Sequence, residues 1–103
     1  MSYPTNDLPV AASASVPPVL YLPLSASSTP GQQLVEIRQL RDGRKALLAY
    51  TALDRLLTLA GDRQPWVLMR TEDLSQVMRE QPYDVVVFDL EIPAAYRRDG
   101  VIA

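Results

Sequence analysis

Apolar and polar positions change rhythm several times along this chain, and each change predicts an element. Val19-Leu-Tyr-Leu-Pro-Leu24 is a short apolar, β-prone run. Pro23 lacks the N–H that a central strand donates, which predicts an edge strand. Residues 25–33, with Ser-Ser-Thr-Pro-Gly, read as a loop. Residues 34–40 and 45–50 are β-like runs on either side of Arg41-Asp42-Gly43-Arg44, and Asp-Gly supplies the positive φ angles of a tight hairpin turn. Thr51 then stands as an N-cap, with Leu53, Leu56, Leu57 and Ala60 at helical spacing and Gly61 as the stop. Trp66-Val-Leu-Met69 is a continuous apolar run, the pattern of a strand covered on both faces.

A second helix follows, capped by Thr71, with Glu72 and Asp73 in its first turn, Leu74, Val77 and Met78 on its apolar face and Gln81-Pro82 at its end. Val85-Val-Val-Phe88 is the most β-prone segment and predicts an interior strand. The predicted order is β-β-β-α-β-α-β, a small mixed sheet with two helices in the α/β class, bordering on α+β. The pattern divides the chain into a Pro/Ala/Ser-rich flexible tail over residues 1–17, a folded domain over 18–90 and a polar C-terminal tail over 91–103.

Composition narrows the chemistry. The 103 residues include no His and no Cys, which removes imidazole bases, thiolate nucleophiles and zinc–thiolate sites. Lys45 is the only lysine. A net charge of −2 provides no global field toward nucleic acid or an anionic membrane. The charges are nevertheless unevenly placed, since Asp7 is the only charged residue before Glu36. There is no basic start of a signal peptide, and prolines at 9, 17, 18 and 23 interrupt the apolar stretch that a membrane helix would need. A soluble, cytoplasmic protein without membrane insertion is expected.

From about residue 19 to residue 90 the chain resembles the small SseB N-terminal-type domains of actinobacteria. The likeness is carried by Leu20-Tyr21-Leu22-Pro23, the Asp42-Gly43-Arg44 turn running into Leu48-Ala49-Tyr50-Thr51, Leu53-Asp54-Arg55-Leu56, Gln64-Pro65-Trp66-Val67 and residues 74–78. It departs after the last strand, where such domains often carry Asn-Pro or Asp-Pro and this chain reads Asp89-Leu90-Glu91-Ile92-Pro93. The resemblance implies an α/β fold and no catalytic residue or cofactor. Locally, residues 83–93 are similar to the phosphoacceptor strand of response-regulator receiver domains, which implies Asp89 as phosphoacceptor. A receiver also needs an acidic pair at the end of its first strand to hold Mg²⁺ and further βα units. Leu48-Ala49-Tyr50-Thr51 has no such pair, and thirteen residues follow Leu90.

Three sets of residues remain as candidates. Asp89 and Glu91 share a strand face and read first as solvated strand-end carboxylates, second as half a cation site. Arg38, Arg41, Arg44 and Lys45 crowd the hairpin turn, interrupted by Glu36 and Asp42; they read first as a solvated tip and second as a phosphate-backbone contact. Trp66 and Tyr50 read first as core aromatics and second as partner anchors. The leading expectation is a non-catalytic adaptor or accessory subunit. It would dock on a protein or a second copy of itself through Tyr21 and Leu22 of the edge strand, Arg38, Arg41 and Arg44 of the hairpin, and Tyr96, Arg97 and Arg98 of the C-terminal tail. No cofactor, metal or small-molecule substrate is expected. A degenerate receiver using Asp89 is the second reading, and nucleic-acid binding through the hairpin the third.

Overall fold

The computed structural model describes residues 16–103. Most of the expected N-terminal tail, residues 1–15, lies outside the described residues. Strands β1 (Val19–Pro23), β2 (Ile37–Gln39) and β3 (Lys45–Ala49) are followed by helix α1 (Leu53–Leu59) and β4 (Trp66–Arg70). A 3₁₀ turn (Thr71–Asp73), α2 (Leu74–Glu80) and β5 (Val85–Phe88) come next, then a second 3₁₀ turn (Ala94–Tyr96) and the short strands β6 (Arg97–Arg98) and β7 (Val101–Ile102). The β-β-β-α-β-α-β order read from the hydrophobic pattern is present, and the fold is a mixed α/β to α+β globule.

The hairpin forms where Asp-Gly predicts it. Gly43 adopts φ +92°, Leu40 and Arg44 close the turn through a 2.8 Å backbone bond, and β2 pairs antiparallel with β3. β3 also pairs in parallel with β5, and β1 pairs antiparallel with β4. The two groups of strands join through β1. Tyr21 and Tyr50 exchange two 2.9 Å backbone bonds, Glu36 donates to the Pro23 carbonyl, and Ser25 donates to Leu34. Along this side of β1, the N–H that Pro23 lacks falls where the facing chain changes from Tyr50 to Glu36.

This arrangement reverses two expectations. β1, read as an edge because of Pro23, is interior, with Leu20 and Leu22 fully buried. β4, read as covered on both faces, is the outer strand of its pair, and its residues alternate between exposed and half-buried. An apolar run can mark a strand with one open face as well as one with none. β5 likewise ends its three-strand order instead of lying inside it, and the most buried strand is β3, where Ala46, Leu47, Leu48 and Ala49 have no exposure.

One core lies under α2: Leu20, Leu22, Leu47 and Ala49 of the sheet pack with Val77, flanked by Val67, Met69 and Leu74. The opposite face carries α1. There Leu48, Tyr50, Leu56 and Ala60 pack with Ile92 and Ile102. The last two belong to the segment expected to be a polar tail. Residues 91–103 are instead part of the domain, because two isoleucines five positions either side of Arg97 give a short hairpin enough apolar surface to seat against α1. Gly61 makes room for it: a Cβ there would run into the Gly100 carbonyl.

Both expected threonine caps act elsewhere. The Thr51 hydroxyl donates to Asp89 and the N-cap is Ala52, while the Thr71 hydroxyl donates to the Pro17 carbonyl (2.6 Å) at the start of a 3₁₀ turn. Pro17 and Pro18, expected to bound a flexible tail, are thereby tied to the end of β4.

Candidate protein-docking edge

The outer edge of β4 brings together apolar side chains and backbone that pairs with no strand among the described residues. Side chains alternate along a strand, so Val67 and Met69 turn into the α2 core while Trp66, Leu68 and Arg70 turn away from it. Trp66 is 39% exposed and Leu68 50%. Across the β1–β4 pair Leu68 faces Tyr21, whose ring meets the Trp66 indole edge-to-face at 5.3 Å and 69°. The aromatic pair holds the indole in place. The backbone alternates as well. Tyr21 spends both of its groups on Tyr50, so Leu20 and Leu22 face β4 and meet Met69 and Val67. The N–H and C=O groups of Trp66, Leu68 and Arg70 therefore point outward, along an edge that pairs with no strand among the described residues.

The residues singled out in the sequence fall in several places. Tyr21 lies beside this edge, but Leu22 is wholly buried and presents nothing to a partner. Arg38 binds Glu36 at 2.8 Å, reaches the Ala103 carbonyl and sits 5.9 Å over the Tyr96 ring, so hairpin and C-terminal segment meet there. Arg44 is paired with Asp42 at 2.7 Å. The Arg44 backbone N–H and then its guanidinium hold the Asp42 carboxyl below the usual carboxylate range. Arg41 is exposed on the turn. The basic cluster is thus partly neutralised within the hairpin. Arg97 donates to the Ile92 carbonyl (2.6 Å) and the Thr58 carbonyl, acting as a strut under the C-terminal segment, while Tyr96 and Arg98 are exposed.

Asp89 is not free at a strand end. Its backbone takes φ +53°, and its carboxylate accepts from the Thr51 N–H (2.9 Å), the Thr51 hydroxyl (2.8 Å) and Arg55 (2.7 Å). Glu91 instead lies 3.8 Å from Arg97, so the pair expected to share a face is separated. Among the described residues no group of acidic side chains is placed to hold a metal. No helix is long and apolar enough to cross a membrane among the same residues.

The model of the SseB protein N-terminal domain family matches residues 8–98. The chain belongs to the SseB N-terminal domain family. The match extends past β5 through Arg98, taking in the 3₁₀ turn and β6 that close this SseB-type domain over α1. No curated protein and no solved structure matches the chain.

Sequence reading placed Trp66 among possible anchors but passed over Leu68 and Arg70. The signal that finds them is the period-two alternation of Trp66, Leu68 and Arg70, hidden because Val67 and Met69 are apolar too.

Proposed function

We propose that this SseB-type domain is a non-catalytic protein-docking module whose working surface is the outer edge of β4, with Trp66 and Leu68 as anchors and Tyr21 as their support. The observation that carries this reading is the coincidence, on one short strand, of outward backbone groups with exposed apolar side chains. Exposed strand edges are usually guarded by charge, proline or a covering element, because they add strands readily. β4 has one charge, Arg70, at its far end. A partner strand would gain backbone hydrogen bonds from the edge and specificity from the side chains, the mode known as β-augmentation. The domain needs no cofactor for this, and the polar side chains expected to carry chemistry are engaged in holding the fold.

A photo-reactive amino acid placed at Leu68 in the full-length chain, in native cells, tests the reading. Position 68 is expected to yield a discrete covalent protein adduct, whereas the exposed α2 position Gln76 yields none. Equal labelling from both positions, or none from 68, overturns it.

A further inference from the structure

Resting on that reading, we propose that the strand received by β4 is β4 of a second copy of this chain, antiparallel, about a two-fold axis through Leu68. The edge is self-complementary in this register. The outward residues Trp66, Leu68 and Arg70 are evenly spaced, so the axis sets Leu68 against Leu68 of the second copy and Trp66 against its Arg70. These pairs exchange about six main-chain hydrogen bonds, because the outward N–H and C=O groups of an antiparallel pair face each other two by two. The three side chains lie on one face, so each guanidinium reaches over the opposite indole, where a cation meets the negative face of the ring. Arg70 is 66% exposed and free to swing from Glu72 and Asp73, which lie 3.2 Å from it on the adjoining turn.

The one charge on this edge thus becomes a contact when the arriving strand is its own copy. The two leucines close the centre of the interface, flanked by the Tyr21–Trp66 ring pairs. Among the described residues, no other strand edge combines two exposed large apolar side chains with outward backbone.

The absence of cysteine from the chain gives the test its precision. Hydrogen-bonded residues opposite one another have Cα atoms about 5.5 Å apart, within the span a disulfide bridges. Under mild oxidation of the full-length protein, Leu68→Cys is expected to form a covalent dimer roughly tenfold or more faster than Trp66→Cys or Arg70→Cys alone, whose own copies lie four strand positions apart. The double variant Trp66→Cys/Arg70→Cys restores fast cross-linking. Sedimentation equilibrium of the unaltered chain shows a reversible dimer, and Leu68→Glu weakens it roughly tenfold or more by setting like charges opposite each other. Circular dichroism shows that variant folded, since Leu68 is half exposed. Equal cross-linking rates at 66, 68 and 70, or a dimer indifferent to Leu68→Glu, overturns the self-pairing. A monomer whose position-68 probe captures a different protein overturns self-pairing while the docking reading stands; a monomer with no capture overturns both.

Discussion

At the scale of single residues, a chemically suggestive side chain turns out to be committed to the fold. Asp89 sits at the end of a parallel strand, the place where α/β sheets often put reactive carboxylates. Its two oxygens instead tie the end of β5 to Thr51 and Arg55 at the entry to α1. Asp89→Ala is expected to lower stability by about 2–3 kcal/mol, through lost charge-assisted bonds to Thr51 and a left-handed backbone that alanine resists. Asp89→Asn, which tolerates that backbone, costs about 1 kcal/mol. Urea titration of both variants checks this order. Incubating the unaltered chain with acetyl phosphate and Mg²⁺ is expected to leave its intact mass unchanged.

Tyr83 supplies a titration. Burial raises its phenol above its ordinary value, and its hydroxyl donates to the Leu74 carbonyl. A raised acid binds its proton more tightly in the folded state, so this contribution is whole below pH about 10 and is lost as pH rises through the folded value. Stability measured from pH 8 to 11 should therefore fall less steeply in Tyr83→Phe than in the unaltered chain. Thr51 and Thr71 show the limit of local sequence at this scale. Both carry the cap signature, yet each hydroxyl serves a partner more than thirty residues away, Asp89 or Pro17, which no local pattern reveals.

At the scale of elements, two glutamine side chains, Gln64 buried and Gln81 half-buried, do work that strands do elsewhere. The Gln81 amide donates to the Val35 carbonyl and accepts from its N–H, acting as a ladder rung on the side of residue 35 that faces away from β1. Gln64 donates to the Leu24 and Pro65 carbonyls and accepts from Ile102, fastening the C-terminal hairpin to the ends of β1 and β4. Because Ile92 and Ile102 each contribute about 1.5–3 kcal/mol by burial, a chain ending at Leu90 should lose about 3–6 kcal/mol, a large part of the total stability of a small domain. Its urea midpoint is the measurement, and an unchanged midpoint would restore the view of residues 91–103 as a tail.

The helices, the Asp-Gly hairpin and the order of the first seven elements were legible in the sequence, because period and turn chemistry are local. The positions of β1 and β4 were not. Which strand lies outside depends on pairings such as Tyr21 with Tyr50, made between residues far apart in sequence, and Pro23 is tolerated inside only because its partner chain changes there.

At the scale of the whole molecule, the charges that looked like binding patches are largely spent on internal contacts, and among the described residues two of the four exposed large apolar side chains lie together on β4. Trp66 is the only tryptophan of the chain, so its emission reports on that edge alone. Filling the edge covers a half-exposed indole, and the emission maximum is expected to move to shorter wavelength as protein concentration rises, with no such move in Leu68→Glu. A maximum independent of concentration in both proteins would contradict coverage of Trp66 by self-association.

The interior position of β1 also bears on how the chain acquires its structure. Its ladder partners lie about 40–50 residues downstream in β4, and contacts of such separation form slowly. The β2–β3 hairpin can assemble at once and offer Glu36 and Tyr50 to one edge of Val19-Leu-Tyr-Leu-Pro23, whereas the other edge of this apolar run must stay open until α1 and β4 have arrived. The same run that becomes the centre of the sheet is thus the segment most exposed to intermolecular misassembly while the protein is being made or refolded. Dilution or a chaperone that shields it during that interval should raise the folded yield more than any change to the finished surface.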